Sequence, residues 1–295
     1  YDEAFAVLDE LLPTGASLRD RVEARGQRLT VPVERLPAVL DWLVEEIRAA
    51  SARHFEAPRG ENLSVSLVTG QPWSAYNWYD GDLRSRIEIN TDLPVRASGL
   101  IGLVTHECFP GHHLEHATKE QRLYRERGRA EASVQLINTP EAYLSEGLAE
   151  VGESLILDRA TWTRLLAGIC GRAGIDLAPA DLERQWPISE ALDTLRAVSA
   201  DASLLLHHER RPAVEVAAFI EQRALRTPDG AAKALEFISH PLWRTYVFCY
   251  SGGERLLRAW LEAVADPAQR RARFGRLLTE QLTPSAIAAE TNFPS

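Results

Sequence analysis

Apolar residues recur at helical spacing through most of this chain, and that period, broken in one stretch only, confines it to a mainly α fold. Leu36, Val39, Leu40, Leu43, Val44 and Ile47 fall on one face with charge opposite, which predicts an amphipathic helix over about 33–54. The period drops to two where Val65 and Leu67 alternate with Ser64 and Ser66, and again where Ile87 and Ile89 alternate with Arg86, Glu88 and Asn90. Both stretches are expected as short strands, joined by an aromatic-rich connection with Trp73, Tyr76, Trp78 and Tyr79. Helical spacing resumes at Pro94 and runs through Leu100, Ile101, Leu103 and Val104 into His106. Beyond Gly128 it predicts helices over about 139–157, 160–172, 180–206, 212–226, 229–238, 241–264 and 267–281. Thr139 and Pro140 suit the cap and first turn of the first of these. The expectation is one mostly α, multi-helical domain over 1–295. It would have a small antiparallel β element at about 62–91, a central part at about 94–157 and a helical C-terminal part at about 160–291.

Charge excludes some roles. A net charge of −9 without a basic stripe argues against a nucleic-acid partner, and no polybasic run suggests an anionic membrane surface. No apolar stretch approaches the roughly 20 residues of a membrane span, and no secretory leader pattern follows Tyr1. A cytoplasmic enzyme is the resulting expectation. Cys108, Cys170 and Cys249 are three in number and far apart, so they form neither a disulfide framework nor a CxxC metal knuckle.

The histidines are concentrated. Four of the eight lie within 106–116, in the run His106, Glu107, Cys108, Phe109, Pro110, Gly111, His112, His113 and on to His116. Hydrolytic zinc takes three protein ligands and leaves one position for water, whose proton a neighbouring carboxylate removes. The usual HExxH places both histidines on one helix face, but position i+4 from His106 is Pro110. On an ideal helix His112 would lie about 9 Å along the axis and about 120° round from His106, and His113 about 10.5 Å along on nearly the same face. Pro110 and Gly111 are the residues to break that helix and bring an imidazole back beside His106. His112 is preferred, with His113 as the alternative. An isolated histidine on an apolar helix is usually a satisfied core residue, but an apolar helix ending in HE and two further histidines is costly unless those groups have partners.

The third ligand should be an acid on a later helix. EGLAEVGE at 146–153 offers Glu146 first and Glu150 next, with Glu153 as an acceptor for a ligating histidine. A solvated acidic face is the bland account of this spacing. Gly147 and Gly152 argue against it, because each costs up to about 1 kcal/mol in a helix unless another backbone comes close.

At these residues the chain resembles a bacterial family known as domain of unknown function 885, which is grouped by likeness with the gluzincin metallopeptidases. HECFPGHH matches its HExxPGHH pattern, EGLAEVGE is similar to its EGWALYAE, and Tyr250 to Gly253 is similar to its Tyr-x-x-Gly, so the likeness spans roughly 85–260. It implies a gluzincin-like fold and a zinc hydrolase, in which His106, His112 and Glu146 hold Zn2+, Glu107 is the general base and Tyr250 is a catalytic donor. The resemblance implies the chemistry more than the substrate; a peptide or small amide is the expected one. Glu115 stands where that family commonly has Gln, and Glu150 and Val151 replace Leu and Tyr, departures that touch the substrate pocket more than the metal.

An oxyanion donor is expected in HPLWRTYVFCYSGG, with Tyr250 first and Tyr246 or His240 as alternatives; His207 and His208 are further candidates. The strand at 86–90 is a candidate edge for an extended substrate, with Arg86 and Asn90 beside the cleft. The rival expectation is a binding or scaffold protein with a closed, structural metal or none. A third is iron or manganese on the same ligands.

Overall fold

The computed structural model describes residues 1–291. Its elements in chain order are α1 (Asp2–Leu11), α2 (Leu18–Arg28), α3 (Leu36–Ala52), β1 (Asn62–Val68), β2 (Ala75–Gly81), β3 (Arg84–Asn90), α4 (Ala97–Glu107), α5 (His112–Lys119) and α6 (Pro140–Ile156). They continue with α7 (Arg159–Ala173), α8 (Pro179–Thr194), α9 (Val198–His207), α10 (Ala213–Arg223), α11 (Pro228–Ser239), α12 (Val247–Glu262), α13 (Pro267–Thr279) and α14 (Pro284–Thr291). The fold is mostly helical with one small sheet, as the apolar period requires. In α3 the six apolar residues of the predicted face are all buried, and Thr139 caps α6 by accepting the Ala142 N–H. None of the helices among the described residues is long and apolar enough to cross a membrane.

Three expectations need correction. The single helix expected over 180–206 is broken at the 3-10 turn Leu195–Ala197, and that turn places Arg196 beside α6 (below). The helix expected from 241 starts at Val247, because residues 241–246 form successive turns in which Trp243 and Arg244 donate to the His240 carbonyl. The sheet is mixed. The aromatic connection is itself a strand, β2, antiparallel to β3, and β1 pairs with the other side of β3 in parallel. Aromatic side chains favour a pleated, half-buried surface. With three strands alternating in direction, the first and third must run parallel when they meet. The 86–90 strand is therefore central, and β2 is the edge that faces α4 and α5.

The largest core draws on residues from Leu29 to Ile287 and is built where α3, α4, α6, α7, α12 and α13 meet over β3. α4 and α6 pass through this core, so the polar side chains they carry at one end are held by surroundings that cannot easily shift.

Candidate metal centre

The two histidines meet because the helix breaks. α4 ends at Glu107, Cys108 leaves helical geometry at φ −110 and ψ −84, and α5 begins at His112. Gly111 lies flat against the preceding turn: its N–H donates to the Thr105 carbonyl at 3.1 Å, and a Cβ there would stand 1.9 Å from the His106 carbonyl oxygen. Only glycine permits that approach. The imidazoles of His106 and His112 consequently lie 4.8 Å apart between centroids, at 90° to one another.

The carboxylate arrives on α6. A Cβ on Gly147 would be 2.5 Å from the carbonyl carbon of Gly253, and one on Gly152 would be 2.8 Å from Pro110 Cγ. The two glycines thus let α6 rest directly on α12 and on the helix break. Glu146, between α4 and α12, places Oε2 3.2 Å from His106 Nε2 and Oε1 3.6 Å from His112 Nε2. One ligand atom from each of the three lies within 4.8 Å of the others. Donors sharing a tetrahedral zinc at 2.0–2.2 Å are about 3.3 Å apart, so the spacing fits a shared ion. Glu146 Oε2 is buried and, although close to His106, is out of line for a hydrogen bond. A buried carboxylate oxygen without a donor is costly unless a cation completes it.

Charge in the pocket points the same way. Burial works against protonation of His112, but Glu146, Glu115 and Glu107 outweigh it and lift the ring well above its ordinary value. His106 is raised for similar reasons: burial lowers it, and Glu146 and Glu107 together outweigh that. Glu146 moves oppositely: burial would raise it, and the two histidines hold it far below the carboxylate range. Buried acids in this number demand positive charge, which two protons or one divalent cation can supply.

His113, the alternative ligand, is fully buried and faces the other way, with Nδ1 2.7 Å from Ser85 Oγ and Nε2 2.7 Å from Glu61 Oε2. Glu150, the alternative acid, accepts two bonds from Arg196 at 2.6 and 2.8 Å and stands 3.7 Å from His106 Nδ1, the nitrogen turned away from Glu146. Behind His112, Ser145 Oγ lies 3.2 Å from Nδ1 and donates to Glu115 Oε2 at 2.5 Å. Each imidazole thus has an acid behind the nitrogen that faces away from Glu146, an arrangement that fixes ring orientation in metal sites. His112, Glu115 and His116 form a second group with metal-like spacing. Glu115 in that group is already neutralised by Lys119 at 2.7 Å, so the first group is the better one.

Glu107 is 93% buried, its exposure being 7%, and its Oε2 has no partner. Burial raises its pKa, with His106 and His112 pulling back, which brings a carboxylate towards the range useful to a general base. Asn77 on β2 donates to the Glu107 carbonyl at 2.7 Å and so pins the end of α4 to the sheet.

Glu153 does not reach a histidine; it accepts from Thr105 Oγ1 at 3.2 Å. Burial, helped by Asp193, raises its carboxyl to about 7. Because the folded pKa lies above the ordinary value of 4.5, the folded chain binds this proton more tightly than the unfolded one. Stability is therefore full at pH 4 and is lost as pH rises towards 7. Glu153→Gln should stabilise the chain by about 1–3 kcal/mol at pH 8 and have little effect at pH 4. Urea unfolding at both pH values checks this, and equal effects at the two would refute it.

Among the expected oxyanion donors, Tyr250 has its ring 6.2 Å from that of His106. The Tyr246 hydroxyl is engaged, donating to Glu146 Oε1 at 2.5 Å. His240 is exposed and accepts the Leu242 N–H at 3.2 Å, while His207 donates to the Ile238 carbonyl at 2.7 Å. Both serve local turns and helix contacts, because their short stretches of chain need those partners. Arg86 lies exposed on Trp78 and Glu88, and Asn90 donates to the Gln71 and Trp73 carbonyls to hold the loop before β2.

No family model matches this chain, and no curated protein does. The fold does have a solved counterpart. The crystal structure of "the putative lipoprotein from Colwellia psychrerythraea" superposes with a TM-score of 0.68 at 17% identity, over 99% of this chain. This chain spans about half of that one, 50%. At such identity the likeness concerns the fold.

Residues that the sequence did not single out are Asn77, Ser145, Arg196 and Glu61. Only Ser145 carried a signal, lying next to Glu146; the others reach the site from elements whose docking no local pattern encodes.

Proposed function

We propose that this chain is a zinc-dependent hydrolase acting on peptide or small amide bonds, as its likeness to the HExxPGHH family implies. The observation that carries the reading is the convergence of His106, His112 and the donor-less oxygen of Glu146, with the buried, unpartnered Glu107 carboxylate beside them. Zinc held by those three residues would acidify a water and polarise the carbonyl of the bond to be cut. Glu107 then accepts the proton of the attacking water at Oε2 and delivers it to the leaving nitrogen. Tyr250 donates its hydroxyl to the oxygen that gains negative charge. Tyr246 holds Glu146 in place, while Glu150 behind His106 and Ser145 with Glu115 behind His112 keep the two rings turned towards the site. An extended substrate would run along β2, the free edge on this side of the sheet.

Elemental analysis after metal stripping and reloading should give one zinc per chain. His112→Ala should lose zinc affinity by at least roughly 10–100-fold, whereas His113→Ala keeps it and loses stability. Zinc retained by His112→Ala would remove that residue from the ligand set. Iron or manganese in protein from its native source would keep the residues and change the metal, and a closed site without turnover would favour a scaffold. A cytoplasmic location is proposed from the sequence; cell fractionation tests it against the anchored location that the neighbour's description suggests for that protein.

A further inference from the structure

A second pocket, lined by none of the histidines, opens where the end of α1 and the length of α2 face α8. It is a cavity of ≈ 280 Å³ walled by Leu12, Leu29, Leu177 and Ile188, with Arg21 and Arg25 among the residues that line it. Four arginines and two aspartates line it in all, a local positive excess on a chain of net charge −9.

Arg25 is unusual there. Its guanidinium bonds two neutral groups, Gln185 Oε1 at 2.7 Å and Ser98 Oγ at 3.3 Å; Asp193 acts on it from a distance, and among the described residues no carboxylate is close enough to form an ion pair with it. Burial, and then the nearby Arg96, lower its pKa to about 10. Arg21 pairs with Asp9, yet its Nε is buried without any acceptor. Guanidinium groups in partly apolar surroundings are normally matched by a carboxylate or phosphate. Arg21 has such a partner on one nitrogen only and Arg25 has none within ion-pair distance, and both line an apolar-walled cavity.

We infer that this pocket binds a small amphiphilic carboxylate, a molecule with an apolar body that fills the space between the leucines and one carboxylate that pairs with Arg25 and Arg21. A single acid on an apolar body matches a site with a few polar groups on an apolar lining. The inference is independent of the metal chemistry proposed above.

The test is calorimetric titration of the full chain with decanoate and, separately, with decanol. Decanoate should bind saturably and decanol much more weakly. Arg25→Gln should weaken decanoate by roughly tenfold or more, and Ala24→Trp, which adds bulk at an exposed position of the lining, should abolish it without removing a charge. Circular dichroism confirms that both variants fold. Equal affinity for the acid and the alcohol would overturn the inference, as would unchanged binding in Arg25→Gln. Binding that survives both variants but is lost in Glu146→Gln would put the carboxylate at the histidine site instead and would also overturn it. So would a longer form of the chain in which protein side chains occupy the cavity.

Discussion

Glu107→Gln should retain one zinc per chain and lose roughly 10²–10⁴-fold in hydrolysis of a peptide or amide substrate. The substitution keeps the shape of the side chain and removes only its ability to take a proton. Glu107 Oε2 has no hydrogen-bond donor to lose, so no structural contact there should suffer. Elemental analysis and turnover measured on the same preparation separate the two effects. A variant that keeps its rate excludes Glu107 as the base, and one that loses its metal would assign Glu107 to binding. Because burial raises this carboxyl, the acid limb of the rate against pH should lie above the ordinary carboxylate range and should vanish in the variant.

Gly111→Ala is expected to be the most damaging single methyl group in the chain. The added carbon would stand 1.9 Å from the His106 carbonyl oxygen and 2.6 Å from that of Thr105, and both are backbone atoms with no rotamer to yield. Either α5 swings away from α4 or the break unwinds, and in both cases His112 leaves His106. Overpacking of this kind typically costs about 1–3 kcal/mol, and zinc affinity should fall with it. Gly99→Ala, in the same helix α4 and with nothing within 4 Å, is the matched control. It should gain up to about 1 kcal/mol from helix propensity. Thermal melts and competition with a chelator read both variants; zinc held by Gly111→Ala as tightly as by the parent chain would refute the role given to the break.

Local chemistry made much of this legible in the sequence. The Pro110–Gly111 interruption is written in residues that cannot continue a helix, and the structure shows His112 beside His106 for that reason. Gly147 and Gly152 announced close approach, and each touches what a helix with a Cβ could not, Gly253 and Pro110. What stayed hidden depends on pairing across distance. Nothing local says that β2 would slip in as an edge strand and make the 86–90 strand central, or that Arg196 would follow a broken helix to Glu150. His113 and His112 are neighbours with the same chemistry, and only the partners offered by Ser85 and Glu61 separate them. Glu153 looked like a partner for a histidine by its spacing, but its place on α6 brings it to Thr105 and Gly102, round the helix from His106.

The contact between Gly147 and Gly253 has a bearing on how such a site can diversify. Where α6 and α12 cross there is bare main chain on both sides, so the separation between Glu146 and the Tyr246–Tyr250 stretch is dictated by peptide planes and cannot be tuned by swapping rotamers. Evolution or engineering that aims at new substrates is left with the other walls: the aromatic face of β2 and the turns at 241–246. Those can be rewritten while the crossing keeps the carboxylate in register with the histidines.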